Sequence, residues 1–291
     1  MIKAHALVLE AVVFLLLLLG GEPAQAQRLR SSTAVTFYAA PDGTDFGNDC
    51  RSQQNPCTPK GAHRVAFRDW DFADSGCTIR LRDGIYKGDA ASILIAGQYV
   101  GAHLCQVYGH VDENDSCTDA TAVVFDVPAG NAAFDLQDLM MTSIACITVQ
   151  GADAIGFHAR QYALFDLAYI NCGAISQCLS LSGHSSANLV GDIWISGNAT
   201  GFIAANQHSR VSIARGARII ATQPVSVTNF IQSHNHSMVE FLGDNKVVNL
   251  GFLSDSICQA YRSGSISLNG TAVPCSFPVW PSPGDDGKVY P

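Results

Sequence analysis

The sequence predicts an all-β protein, a parallel β-helix (solenoid) with a short N-terminal capping helix, on three observations. Strand-like apolar residues fill the segments between recurring motifs, one amphipathic helix is predicted ahead of them, and the motifs recur about every 26 residues. Recurrence at this interval is typical of units that each form one coil stacked on the next. The motifs are Gly156-Phe157-His158-Ala159, Ser182-Gly183-His184-Ser185, Asn206-Gln207-His208-Ser209 and His234-Asn235-His236-Ser237.

Residues 1–26 have the composition of an export signal. A polar start with Lys3 precedes an apolar stretch, and Ala24-Gln25-Ala26 is a small-x-small cleavage site. The apolar run Ala11–Leu19 is shorter than the roughly 20 residues that cross a bilayer, so cleavage is predicted and an uncleaved anchor is the alternative. The mature protein is therefore expected to be secreted, periplasmic or at the cell surface, with no membrane span.

Charge and cysteine content narrow the function classes. The formal charge of −8 argues against a nucleic-acid partner, because phosphate binding needs clustered lysine and arginine. All ten cysteines follow the signal, and an even count in an exported chain indicates disulfides. Proximity predicts two pairs, Cys50 with Cys57 and Cys258 with Cys275, and leaves the connectivity of the other six open.

The mature chain is predicted to contain a leader and cap at residues 27–76, the β-helix at 77–274 and an irregular tail at 275–291. In the cap, a strand is predicted at Val35–Ala39. Thr58-Pro59 has the residue types of a helix N-cap and first helical position, for a helix that ends at about Arg68. Cys77–Leu81 alternates with period two and is predicted to be a strand. The helix would cover the open end of the stacked strands.

Alignment of the four motifs on their histidines gives columns with consistent chemistry. Apolar columns should face inward, and polar columns outward, because successive strand side chains point to opposite faces. The apolar columns lie five residues after histidine (Ala163, Leu189, Ile213, Phe241) and eleven after (Tyr169, Ile195, Ile219, Val247). The outer columns lie four residues after (Tyr162, Asn188, Ser212, Glu240), eight after (Asp166, Asp192, Gly216, Asp244) and ten after (Ala168, Trp194, Arg218, Lys246). The histidines themselves should stack about 4.8 Å apart. An antiparallel sandwich, the alternative fold, does not require such columns.

Three N-terminal segments, Phe37–Asp45, Asn55–Pro59 and Cys77–Tyr86, resemble the cap and first coil of pectin-lyase-like right-handed parallel β-helix proteins. The resemblance implies that architecture for the mature chain and carbohydrate as the ligand. The superfamily includes polysaccharide lyases, glycoside hydrolases, phage tailspikes and surface proteins without known catalysis. Motifs of its polygalacturonase branch are matched only in part, by Gly183-His184-Ser185 and Arg218-Ile219-Ile220.

The outer columns contain the candidate binding residues. Trp194 is predicted to face outward beside Arg218 and Lys246, and an indole next to cations suits a sugar ring that carries a carboxylate. Tyr162 and Asn188 extend this predicted surface. In the alternative interpretation, Trp194 packs under a loop and the cations are solvated.

Asp166, Asp192 and Asp244 are the candidate catalytic residues. Carboxyl groups on adjacent coils would approach the ~5–5.5 Å separation of a retaining glycosidase pair, and groups two coils apart the ~6.5–9.5 Å of an inverting pair. A lyase would need Ca²⁺ or arginine to neutralise a uronate, and no other cofactor or metal is predicted. We predict recognition of a polysaccharide or cell-surface glycan without turnover, the alternative being a lyase or glycoside hydrolase acting on an acidic glycan. The sequence specifies no assembly interface.

Overall fold

The structure is a computed structural model of the chain and describes residues 28–31, 33–72, 75–96, 105–138, 141–254, 256–275 and 286–290. The predicted export signal at residues 1–26 lies outside the described residues. Among the helices that are described, none has both the length and the apolar character needed to cross a membrane.

One α-helix, α1 (Pro59–Asp69), and 24 strands form the regular structure of the described residues, with short 3₁₀ segments at Gly88–Ala91 and Leu250–Phe252. The strands in chain order are β1 (Leu29–Arg30), β2 (Val35–Ala39), β3 (Trp70–Asp71), β4 (Cys77–Leu81), β5 (Gly84–Lys87), β6 (Ile93–Ala96), β7 (Cys105–Tyr108), β8 (His110–Val111), β9 (Cys117–Asp119), β10 (Val123–Asp126), β11 (Ala132–Gln137), β12 (Met141–Ala159), β13 (Leu164–Leu181), β14 (Ser186–Ile195), β15 (Ala199–Ala205), β16 (Arg210–Ile213), β17 (Arg218–Ala221), β18 (Val225–His234), β19 (Met238–Phe241), β20 (Lys246–Val248), β21 (Leu253–Ser254), β22 (Ile257–Tyr261), β23 (Ser265–Ser267) and β24 (Lys288–Tyr290).

Twenty strands form one large sheet whose pairings are parallel. The register divides it into three stacks, and the chain passes through stacks A, B and C in that order before it returns to stack A. Stack A contains β2, β4, β7, β16, β19, β23 and β24, stack B contains β5, β10, β17 and β20, and stack C contains β6, β11, β15, β18, β21 and β22. The long strands β12 and β13 run through all three stacks, and β14 runs through A and B. This all-β, parallel arrangement is compatible with a β-helix.

The units differ in length, which explains where the predicted columns hold and where they fail. Leu164 pairs with Ser186, 22 residues later, whereas Arg210 pairs with Met238, 28 residues later. The strands themselves have similar lengths, so the difference lies in the corners between stacks. A fixed offset from each histidine is therefore reliable only up to the first corner.

The apolar columns were predicted correctly in part. Leu189, Ile213 and Phe241 are paired and buried, as predicted, but the fourth member of that row is Leu167 and not Ala163. In stack B, Ile193 and not Ile195 lies opposite Ile219. The predicted inward position of Tyr169 is also wrong, since its side chain is 39% exposed at the corner between stacks A and B. The physical reason is that His184 and His208 are followed by corners whose lengths differ by two residues.

Three of the four motif histidines stack on the outer surface, and the fourth does not. The rings of His184, His208 and His236 are nearly parallel, with centroids 4.9 and 5.1 Å apart. The first ring in this row is Tyr162, whose centroid lies 5.0 Å from that of His184. His158, predicted to start the row, instead lies within stack C opposite Ser180. All four ring-bearing residues adopt positive φ, between 63° and 69°, at the corner between stacks C and A.

Helix α1 packs against the end of the sheet that begins with β2, as expected of a cap. Its buried face includes Ala62, Val65 and Ala66, which join the main hydrophobic core. The predicted N-cap is confirmed: Thr58 Oγ1 accepts a hydrogen bond from the Gly61 N–H at 3.0 Å, and Pro59 is the first helical residue. Thr58 N–H also donates to Asp45 Oδ1 at 2.9 Å, which ties the helix start to the preceding loop.

Replacing Thr58 by alanine is expected to lower the free energy of unfolding by about 1 kcal/mol, because one amide at the helix N-terminus loses its acceptor. Thr58→Ser keeps the hydroxyl and should stay within a few tenths of a kcal/mol of the native protein. Chemical denaturation of both variants measures the difference. Equal stability of the two would show that the cap contributes nothing.

Five disulfides join all ten cysteines. Both predicted pairs, Cys50–Cys57 and Cys258–Cys275, are confirmed. The other pairs are Cys77–Cys105, Cys117–Cys146 and Cys172–Cys178. Five disulfides indicate an oxidising environment, extracellular or periplasmic.

The tail predicted to be irregular contains a strand. Lys288–Tyr290 pairs in parallel with Ser265–Ser267 and adds the last strand to stack A. Alternation of exposed and half-buried residues over three positions is too short a pattern to be recognised in a Pro- and Gly-rich sequence.

Candidate functional site

A hairpin projects from the sheet after β7 and forms one wall of the candidate site. Its strands β8 and β9 pair antiparallel, in contrast to the parallel pairs of the stacks. The disulfide Cys117–Cys146 ties the hairpin to β12. At its base Gly109 allows close approach of the backbone, because a Cβ there would lie 1.8 Å from the Cys146 carbonyl oxygen. We call residues 110–119 the hairpin.

The cleft lies between the hairpin and the outer face of stack B. Its volume is about 600 Å³, within the range of small-molecule sites. Segment 117–121 forms one side, and outward-facing residues of stack B with their flanking corners form the other. These opposing residues are Tyr169, Asn171, Asp192, Trp194, Ser196 and Thr222.

Two aromatic rings form the apolar part of the cleft. The rings of Tyr169 and Trp194 are tilted by 33° with centroids 6.4 Å apart. Trp194 is half-buried and packs against a small cluster that contains Ala120 and Cys146. Tyr169 crosses over Gly191, where an added Cβ would lie 3.1 Å from the ring, and the φ of +79° at that position also favours glycine. The local sequence therefore holds Tyr169 beside Trp194.

A chain of hydrogen bonds joins the hairpin side of the cleft to the sheet. Thr148 Oγ1 donates to the Ala120 carbonyl at 2.9 Å and accepts from Asn171 Nδ2 at 3.1 Å. Because the hydroxyl proton of Thr148 is already donated, Asn171 must direct its NH₂ group toward that oxygen. This fixes the amide orientation of Asn171, a lining residue only 7% exposed.

The structure places three of the predicted site residues in one row on stack B. Asp192, Arg218 and Lys246 lie opposite one another on successive strands. The predicted position of Trp194 beside Arg218 is wrong by two residues, since Trp194 pairs with Ile220. Trp194 still shares the outer face with Asp192, because residues two apart on a strand point the same way.

Asp192 is bound by the next strand. Arg218 Nε donates to Asp192 Oδ1 at 2.7 Å, and the second guanidinium nitrogen bonds the other carboxylate oxygen. This hydrogen bond and the adjacent charge raise the pKa of Arg218. The carboxylate of Asp192 is 16% exposed and that of its partner's guanidinium group 52%, so the pair forms a fixed rim of the cleft.

The remaining predicted site residues lie elsewhere. Asp166 and Asn188 are neighbours on stack A, where Asn188 Nδ2 donates to Asp166 Oδ1 at 2.8 Å. Asp244 is at a corner and pairs with Arg215 at 2.7 Å. Tyr162 belongs to the row of stacked rings described above. The predicted adjacency of Asp166 and Asp192 is therefore wrong, and the three candidate carboxylates do not come together.

Sequence reasoning missed the hairpin side of the cleft, together with Tyr169 and Asn171. The signal for the hairpin was present in the chain: Cys117 and Cys146 flank a segment rich in Asp, Asn, Ser and Thr. Which cysteine each would bond was open, however, and without that pair the hairpin has no predicted location.

A second polar cluster lies on the opposite side of the hairpin. His110 Nδ1 is 2.7 Å from Asp83 Oδ1, in a cavity of about 280 Å³ that Arg80 and Arg82 also line. Both arginines are bonded to carboxylates, Arg80 to Asp115 and Arg82 to Asp42. The cluster is thus a set of mutually paired surface charges.

Within the described ranges, no group of three or more His, Cys, Asp or Glu side chains is arranged to hold a metal ion. The separated aspartates do not fit the oxygen-rich shell that Ca²⁺ requires, so no step through Ca²⁺ is derived. What the cleft offers is two aromatic faces, hydroxyl groups and carboxylates that can bind a polar ring. Comparisons with protein-family models, curated proteins and solved structures find no match to this chain.

Proposed function

We propose that the chain is an exported right-handed parallel β-helix of the pectin-lyase-like type that recognises a glycan on its lateral face without turnover. Support for the architecture comes from the three stacks, visited in constant order by parallel strands, because such crossovers are right-handed in nearly all proteins. Support for export comes from the five disulfides and the N-terminal signal sequence.

The observation that carries the proposal is the cleft with Tyr169 and Trp194. Aromatic faces pack against the apolar C–H surfaces of a sugar ring, while hydroxyl groups exchange hydrogen bonds with those of the sugar. The side chains of Thr118, Thr121, Ser196 and Thr222 supply such hydroxyl groups around the rings. A volume of about 600 Å³ accommodates one or two sugar rings.

Binding without turnover is supported by the placement of the carboxylates. Asp192 is held by Arg218, while Asp166 and Asp244 belong to other positions of the fold. A glycosidase mechanism needs two carboxyl groups on either side of one glycosidic bond. The three candidates do not provide that pair at the cleft.

Replacing Trp194 by alanine is expected to weaken glycan binding about tenfold or more, which corresponds to about 1.4 kcal/mol of lost contact. Titration calorimetry with cello-, galacto- and mannotetraose and their C6-oxidised uronate forms measures the affinity. Tyr169→Ala, at a more exposed position, should show a similar loss without disturbing packing.

Asn188→Ala is the matched control, since Asn188 lies on stack A outside the cleft, and its affinity should equal that of the native protein. Native affinity in both aromatic variants would refute the cleft as the binding site. Release of reducing ends or of 235 nm absorbance that disappears in Asp192→Asn would favour the enzyme alternative instead.

A further inference from the structure

We propose that the cleft selects sugar rings without a carboxylate and disfavours uronates, an inference that rests on the proposed glycan binding. It differs from the expectation drawn from the sequence, in which Arg218 and Lys246 would pair with an acidic sugar. The reason is the charge of the groups that line the cleft, taken together with the commitments of the nearest cation.

The charged side chains that line the cleft are carboxylates. They are Asp119 on the hairpin side and Asp192 on the sheet side, and no lysine, arginine or histidine is among the described residues that line it. A ligand carboxylate that enters would meet two like charges and no free cation. Like charges a few ångströms apart disfavour binding even near a protein surface.

Arg218, the adjacent cation, is already engaged. Its Nε and a terminal nitrogen both bond the carboxylate of Asp192, in the two-pronged geometry that arginine forms with one carboxylate. To pair with a uronate, the guanidinium would have to leave Asp192 with one charge uncompensated at the cleft rim. The exchange gains no net ion pair.

The hairpin adds further negative charge to the same wall. Between residues 110 and 119 it carries Asp112, Glu113 and Asp115 in addition to Asp119, and it contains no lysine or arginine. Asp115 is paired with Arg80, whereas Asp112 accepts hydrogen bonds from backbone amides of the turn. The wall therefore has an excess of negative charge.

Asp119 keeps its charge near neutral pH. Its Oδ1 accepts from the Thr121 hydroxyl at 2.6 Å and from the Thr121 N–H at 2.8 Å. The hydroxyl hydrogen bond is the main cause that lowers the pKa of Asp119, because both donors stabilise the ionised form. The cleft is thus negative over the physiological range.

The test compares each neutral tetrasaccharide with its C6-oxidised counterpart by calorimetry on the full mature protein. The uronate form should bind about three- to tenfold more weakly than the neutral form at low salt, and the difference should shrink in 0.5 M NaCl. Asp119→Asn removes the charge but keeps the Oδ1 acceptor for Thr121, so it should narrow the difference. Asp166→Asn, on stack A, removes an equal charge outside the cleft and should leave the difference unchanged.

The outcomes separate the two levels of the proposal. Equal or tighter binding of the uronate would overturn the selectivity while the glycan-binding function stands. Absence of binding by every neutral and oxidised sugar would overturn both. A difference that Asp166→Asn narrows as much as Asp119→Asn would show that net charge, and not the cleft, discriminates.

Discussion

Replacing Phe134 by alanine is expected to lower the free energy of unfolding by about 3–5 kcal/mol, the range for removing a buried phenylalanine. Phe134 is fully buried in stack C. Its ring lies 5.5 Å from that of Phe157 on the next strand of the stack, and 5.1 Å from that of Phe125 in stack B. Phe125 in turn stacks on Tyr86 at 4.8 Å.

The size of the effect follows from this connected set of rings. A cavity at Phe134 would remove contacts both along stack C and across the interior to stack B, and neighbouring strands held in register cannot collapse to fill it. Denaturant titration with a common slope measures the loss. Leu94→Ala is the matched control, because Leu94 lies on the adjacent strand of stack C but is 55% exposed, so its change should stay within about 0.5 kcal/mol. A similar change in both variants would refute the interpretation.

Acidification is expected to destabilise the protein through His63, which is buried in α1. Burial lowers the pKa of His63 from 6.5 to about 3. Between these values the unfolded chain binds a proton that the folded chain does not bind, so the free energy of unfolding falls as pH falls. The loss approaches about 1.4 kcal/mol per pH unit below pH 6.5 and amounts to about 2 kcal/mol between pH 7 and pH 5.

The test is the stability of the native protein and of His63→Leu as a function of pH. The leucine variant, which cannot take up this proton, should lose about 2 kcal/mol less between pH 7 and pH 5. An NMR titration of His63 that places its midpoint near 6.5 in the folded protein would contradict the prediction, as would identical pH profiles. If the variant fails to fold, hydrogen exchange of α1 amides in the native protein at the two pH values gives the same comparison.

Local patterns in the sequence predicted the elements that depend on neighbouring residues. The helix start at Thr58, the strand Cys77–Leu81 and the disulfide Cys50–Cys57 all follow from short-range rules. Period-two alternation and the histidine motifs also placed Asn188, Ser212 and Glu240 in one row, as the register shows. These features need only the chemistry of a strand and the turn that precedes it.

Corner lengths and disulfide connectivity could not be predicted in the same way. Backbone turns with positive φ, as at Tyr162 and Tyr169, are occupied by residues that carry no strong turn preference, so His158 was aligned in the wrong position. One displaced anchor moved Asp166 from its true neighbour Asn188 to an expected neighbour, Asp192. The cleft depends on a further long-range fact, the bond between Cys117 and Cys146.

The variable corners have a consequence for how this protein can change. The hairpin leaves the sheet at one corner and is bonded to it at Cys117, while strands before and after it keep their register in stacks A and B. Recognition loops can therefore be lengthened, exchanged or re-sequenced at such junctions without altering the hydrophobic interior. Ligand preference and thermodynamic stability are governed by separate parts of the chain, which makes this architecture a suitable frame for grafting new binding specificities.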